Sequence, residues 1–233
     1  MNRFLKSLQL AALLVFCYGA QVTEVSAAPK PINSCRTITA SGSYVVTKDL
    51  VAVGHCLVLQ FNNVTIDLDG YTIAGDGSDS RGITSFNNDE RKDITIRNGF
   101  TMNFRYGIAF NNSARITVER LHIINNYGGG VIVGRQAIIR DNTLAENYFG
   151  IVTGPDSIVT GNNSSHNANS GIRPGQGSTV TGNTANNNGE HGILALRGST
   201  VSYNTAFGNT QYGISPSVAV VLQATRRRAM ART

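Results

Sequence analysis

Few residues in this chain carry the types and spacing that chemistry needs. Arg173 and His191 stand in neighbouring repeats, with Tyr148 and Tyr212 close to them in sequence. A base beside a cation that neutralises a carboxylate is what abstraction of a proton next to a uronate carboxylate requires. Arg173 and His191 are therefore the candidate catalytic pair of a polysaccharide lyase or epimerase. A second set is aromatic. Tyr106, Phe149 and Tyr212 each precede a glycine followed by isoleucine, and His191 holds the same position. Flat side chains repeated in this way can stack on sugar rings, so Tyr106, Phe149, Arg173, His191 and Tyr212 form the candidate binding set.

Other chemistries find less support. A glycosidase needs two carboxylates about 5 to 9.5 Å apart, and beyond the first repeats acids are sparse: Glu119, Asp141, Glu146, Asp156 and Glu190. Asp69, Arg97, Glu119 and Arg140 fall at equivalent positions of successive repeats with alternating sign, which reads as a charge ladder between strands. Asp67, Asp69, Asp76 and Asp79 invite a calcium reading, but their loop lacks fixed ligand spacing. The four histidines are scattered and do not make a zinc or copper site, so no metal or other cofactor is expected. His122, between Leu121 and Ile123, reads as a satisfied strand residue.

These residues are positioned by a repeat. Gly-Ile recurs at Gly150-Ile151, Gly171-Ile172, Gly192-Ile193 and Gly213-Ile214, a spacing of 21. Val159, Val180 and Val201 keep the same period, as do most members of two asparagine columns, Asn142, Asn162, Asn183, Asn204 and Asn147, Asn167, Asn188, Asn209. A fixed period of this length means a solenoid. Upstream, Gly82-Ile83, Gly107-Ile108 and Gly130-Val131 continue the series at less even spacing. No amphipathic helical pattern separates the strands, which excludes βαβ units. Each repeat bends sharply, turns apolar residues inward and cannot bury that face alone, so stability comes from its neighbours. Asparagines stacked at equivalent corners can satisfy buried turn backbone. The position after each anchor, Ala109, Ile132, Val152, Arg173 and Leu194, should face outward.

The ends differ from the repeats. Arg3 and Lys6 precede an apolar run from Leu8 to Ala20, and Val25-Ser26-Ala27 offers a small-residue cleavage site, so residues 1–27 read as a secretory signal peptide. No apolar run reaches the about 20 residues of a transmembrane helix. Cys17 leaves with the signal, and Cys35 and Cys56 remain as a pair suited to a disulfide in an oxidising compartment. Residues 28–55 read as a linker and cap, 56–214 as the solenoid, and 215–233 as a last strand with a disordered basic tail. Gly and Asn vanish from that tail, which suggests a truncated or replaced end, or a basic extension for an anionic lipid or glycan. Of the formal charge of +6, the signal holds +1 and the tail +4, leaving +1 for the body. A nucleic-acid partner is therefore rejected.

The opening TITASGSYVVTKDL, the segment NVTIDLDGYTIAGDG and the Gly-Ile units resemble the right-handed parallel β-helix repeat proteins. The resemblance is to the pectate-lyase-like superfamily in its carbohydrate-binding and sugar hydrolysis form, NosD-like branch, over residues 36–214. It implies an all-β, right-handed parallel β-helix of about seven coils with a disulfide-stapled N-terminal cap. That group holds lyases, hydrolases, epimerases, adhesins and proteins without known activity, so the fold does not name the function. The first expectation is an exported, periplasmic or extracellular protein that binds polysaccharide, with an acidic glycan as the partner considered. The alternatives are a lyase or epimerase on uronate glycans, and a structural or envelope-assembly protein.

Overall fold

A computed structural model describes residues 27–216, 221–223 and 226–227. The 1–27 signal reading, Ala27 apart, lies outside them, as does most of the expected tail. The chain winds as a parallel β-solenoid of about nine turns. Each turn lays one short strand on each of three faces, and every strand pairs in parallel with its counterpart one turn away.

The first face carries the glycine-anchored strands. Leu57, Ile83, Ile108, Val131, Ile151, Ile172, Ile193 and Ile214 are register partners in one continuous column. The second face aligns Ile66, Ile96, Val118, Ile139, Val159, Val180 and Val201. The third aligns Ile73, Thr101, Ile123, Leu144 and Ser164. All of these point into one core and are fully or almost fully buried. The pairing explains the glycine of the anchor. A Cβ on Gly150 would lie 1.9 Å from Ser164 Oγ and 2.4 Å from the Gly171 carbonyl, so only glycine allows the turn to close there. One strand, Tyr106–Ile124, runs around all three faces in succession.

The count of seven coils is corrected to about nine. The stretch 28–55, expected to cap the solenoid, instead supplies its first rungs. Lys30–Ile32 pairs with Gly42–Val46, Arg36–Ile38 with Leu57–Leu59, and Leu50–Val51 with Thr72–Ala74. These rungs lack the Gly-Ile pair because large side chains fill the space: Ile32, Ile38, Leu57 and Leu59 are at most 2 % exposed. Cys35 and Cys56 are bonded, with Cα atoms 4.3 Å apart, and tie neighbouring rungs. At the other end, Val221–Gln223 pairs with Thr200–Ser202 as a last strand on the second face. Arg226–Arg227 pairs with Thr205–Ala206 on the third face, where a disordered tail was expected.

Both asparagine columns form continuous buried ladders. Asn162 Oδ1 accepts from the main-chain N–H of Asn142 at 3.0 Å and from its side-chain amide at 2.9 Å. Asn162 Nδ2 donates back to the Ile139 carbonyl at 2.9 Å. The pattern repeats through Asn183 and Asn204, and in the second column from Asn126 through Asn147, Asn167 and Asn188 to Asn209. A third ladder, Ser157, Ser178 and Ser199, accepts main-chain N–H groups in the same way. It was legible as another spacing of 21 and was not read from the sequence.

Candidate functional site

On the outer side of the first face, Ile132, Val152 and Arg173 follow each other in register, with Leu194 on the next turn. Arg173 is exposed and Ile132, Val152 and Leu194 are half-buried, as expected of an outward stripe. Ala109 departs from it and is 2 % exposed. Arg173 makes no ion pair among the described residues.

The aromatic positions line the corner just before this face, but not as one stack. Gly129 separates Tyr106 from Phe149, and Ser170 separates Phe149 from His191. Only His191 and Tyr212 stack, with ring centres 5.6 Å apart and planes at 15°. Tyr106 lies under Arg105, whose Cζ is 5.2 Å from the ring centre. Phe149 packs its ring edge-to-face against Tyr148 at 4.8 Å. Arg173 and His191 are on adjacent turns, yet Ser170 is the residue level with His191, three positions before Arg173. Their backbones are offset by three residues around the corner before Ile172–Arg173.

The charge ladder forms with one substitution in its membership. Its first rung is Asp67, which pairs with Arg97 at 2.8 Å, and not Asp69. Asp69 sits two residues past the strand in a turn with φ of 47°, its N–H donating to Asp67 Oδ1. Aligning the turns by their asparagine columns misses that turn. Arg97, Glu119 and Arg140 then follow in register. Glu119 is 4 % exposed and is held by Arg120 at 2.5 Å and by Arg140 Nε at 2.7 Å. It is bound as a structural anion. The acids weighed for calcium are engaged separately: Asp67 with Arg97 and Asn98, Asp79 with Arg105, and Asp76 with the Ser78 N–H. The Ser78 hydroxyl and main chain hold the Asp76 carboxyl below its usual range.

A feature that the sequence reading missed lies at the corner between the third and first faces. A trough of about 580 Å³ runs along the axis there. One wall is a column of left-handed corner residues, Asn125, Glu146, His166 and Asn187, with φ between 54° and 60°. The floor is the buried ladder at Asn147 and Asn167. The other wall steps from Tyr127 to Tyr148, which are 51 % and 44 % exposed, and then drops to Ala168 and Gly189. Those two small residues are what open the trough. A Cβ at position 189 would meet the Ala168 carbonyl at 2.0 Å. Asn187 Nδ2 lies 3.3 Å from His166 Nε2. Spanning four turns, the trough is roughly 14 Å long at the 4.8 Å spacing of strands. Among the described residues, Glu146 is the one carboxylate lining it, and no Lys or Arg lines it.

A family model described as "Periplasmic copper-binding protein (NosD)" matches residues 59–220. The chain belongs to the NosD family. No curated protein matches the chain. Among solved structures, the Dettilon tailspike protein (gp208) is similar at 15 % identity and a TM-score of 0.48, over 84 % of this chain and 50 % of that one. The A-module of the Azotobacter vinelandii mannuronan C-5 epimerase AlgE6 is similar at 15 % identity and a TM-score of 0.44, over 84 % of this chain and 65 % of that one. The chain thus spans about half the length of the tailspike chain.

The copper of the family description does not fit the donors that the described residues present. His55 Nδ1 accepts the main-chain N–H of Arg81, His122 stacks on Phe100 at 4.8 Å, His166 faces Asn187 and His191 stacks on Tyr212. Both described cysteines are in the disulfide. Nowhere among the described residues do three His, Cys, Asp or Glu side chains gather. Copper wants imidazole, thiolate or thioether donors converging on one point, and here each imidazole is on its own. No helix among the described residues is long and apolar enough to cross a membrane.

Proposed function

We propose that this NosD-family protein is exported and binds a polysaccharide lengthwise in the axial trough. The observation that carries the reading is the pair of exposed tyrosines on consecutive turns, Tyr127 and Tyr148, at one end of a polar channel. Rings held at a strand spacing offer apolar platforms to successive units of a polymer, while Glu146, His166, Asn125 and Asn187 offer hydrogen bonds to its hydroxyls. Phe149 braces the Tyr148 ring, so the platform is ordered before a ligand arrives. The family description as periplasmic and the Cys35–Cys56 bond support export.

Binding is favoured over lyase or epimerase chemistry because, among the described residues, no Lys or Arg lines the trough to neutralise a uronate carboxylate. The stretch of glycan it suits is uncharged or amine-bearing. Mature protein should be retarded in gels containing such a glycan and release no unsaturated uronate ends from acidic polysaccharides. Tyr148→Ala and Tyr127→Ala should each weaken retardation several-fold. Unchanged retardation in both variants would place the polymer elsewhere, and unsaturated product would replace binding with catalysis.

A further inference from the structure

The trough does not stop at Tyr127. Ala74, Met102, Ile124 and Ala145 are register partners at the end of the third face, so the corners that follow them stand in line along the axis. A second recess of about 350 Å³ lies at the earlier corners, lined by Gly75, Asp76, Gly77 and Asn103. Asn125 and Tyr127 line both this recess and the trough. Asn103 carries the wall onward. Its φ is a left-handed 61°, its Oδ1 accepts the Asn125 side-chain amide at 2.8 Å, and its carbonyl accepts the Gly77 N–H at 3.0 Å. A Cβ on Gly77 would meet nothing within 4 Å, so this end is open. From Asp76 to Asn187 the path crosses six turns, about 24 Å at the 4.8 Å strand spacing.

Two exposed carboxylates stand along that path. Asp76 is at its early end, and Glu146 is three turns on, about 14 Å away. Neither is in an ion pair among the described residues. No Lys or Arg among those residues lines the recess or the trough. Arg105, one turn before Gly128 on the far side of the corner, is matched by Asp79, both of whose oxygens accept its Nη1 at 2.9 Å. The Ser78 hydroxyl first, and the Ser78 main chain second, hold the Asp76 carboxyl below its usual 3.8, so it is charged at pH 7. Unneutralised carboxylates in a concave path draw cations towards it. Tyr127 lies between the two in the axial order, and Tyr148 stands beside Glu146.

We infer that the polymer held in this path is a glycan bearing free amines. The inference rests on the trough reading above and names its substrate class. Ammonium groups of the polymer pair with Asp76 and Glu146, and the sugar rings lie on Tyr127 and Tyr148. A charge-assisted bond of this kind is stronger than a neutral one, and an ammonium over a tyrosine face gains further attraction. An N-acetylated polymer uses the tyrosines and leaves both carboxylates to water. A uronate polymer meets them as like charges.

Calorimetry on the full chain tests this with three hexamers: glucosamine, N-acetylglucosamine and a uronate. At mildly acidic pH, where the sugar amines are charged, the glucosamine hexamer should bind at least tenfold more tightly than the N-acetylated one. That advantage should shrink as salt rises, and the uronate should bind most weakly. Asp76→Asn and Glu146→Gln should each cut the preference for the amine several-fold. Equal binding of the two glucosamine-based hexamers to the wild-type chain overturns the inference, even where a variant fails to fold. A preference unchanged in both folded variants overturns it too. In either case the trough reading stands if Tyr127→Ala and Tyr148→Ala still weaken binding. Binding indifferent to both tyrosines, or none of any hexamer, overturns that reading together with this one.

Discussion

The early turns, from Arg36 to Ile124, and the regular turns, from Asn147 to Phe207, solve the same packing problem with different materials. The two largest fully buried side chains, Phe104 and Phe110, belong to the early half, as do most of the buried isoleucines and leucines. All ion pairs among the described residues lie between Asp67 and Arg140. In the regular turns the core is slimmer, with Val159, Val180 and Val201 on the second face and Ser164 and Ala185 on the third. Polar ladders take over there. The difference teaches that a solenoid can be held by apolar volume where its turns vary, and by repeated hydrogen bonds where they do not. The ladders run through turns of 20 and 21 residues, and large side chains fill the core where turn length varies more.

The sharpest way to break this contrast is one deletion in each region. Phe110→Ala should cost about 3–5 kcal/mol, the usual range for a buried aromatic. Asn183→Ala removes little apolar volume but strands the Asn162 N–H and the Val159 carbonyl. At about 1–3 kcal/mol for each unpaired group it should cost roughly 4 kcal/mol. Urea melts would measure both, and a loss under 1 kcal/mol for Asn183→Ala would remove the ladder from the account. Next comes the disulfide. Its sequence separation of 21 corresponds to about 3 kcal/mol on the chain-entropy model. Reductant should shift the melt by that amount, with hydrogen exchange rising first in the rungs around Cys35 and Cys56.

Smaller effects separate the charged part of the early half from its apolar part. Glu119→Gln keeps the shape but removes the anion between Arg120 and Arg140. Both arginines are about half exposed, so solvent screening limits the loss to about 1–2 kcal/mol. The smallest effect belongs to Asp93, paired with Arg115 through two bonds of 2.7 Å. The Arg115 hydrogen bond holds the Asp93 carboxyl below its usual 3.8. Its contribution is therefore present above that value and is lost as pH falls through the lowered one. Asp93→Asn should flatten this acid limb of the stability profile at low ionic strength and change nothing at high salt.

The scaffold was legible because a period fixes register. The Gly-Ile anchors and the asparagine columns were read from spacing, and each anchor pairs with the next. The first rungs escaped because Leu57 fills the anchor's core position with no glycine before it, and Ile38 sits level with Leu59, two residues further along the strand. The charge ladder was read with Asp69 in place of Asp67, since the corner after Asp67 is two residues longer than the one after Arg97. Both concave features stayed hidden for physical reasons. The trough is made by missing side chains at Ala168 and Gly189, and spacing reports what is present. A shallow recess on the outer side of the first face draws on Thr37, His55, Arg81 and Asn88 across three uneven turns, where no period links them. Arg173 and His191 were singled out as departures from the repeat, and such departures mark individual positions without saying which of them meet.

The asparagine ladders are directional. Each Oδ1 receives the preceding turn's N–H and amide, and each Nδ2 returns a proton to that turn's carbonyl. A whole turn therefore presents to its successor the same pattern of donors and acceptors that it met in its predecessor. Within residues 147–207 the 21-residue segment behaves as an interchangeable part. Excising or duplicating one in register leaves every junction chemically matched, and the unbroken ladder across the 20-residue step from Asn147 to Asn167 shows that a loop one residue shorter between the corners keeps them matched as well. Length can vary in that region by whole turns, and the trough along its corner lengthens or shortens with it.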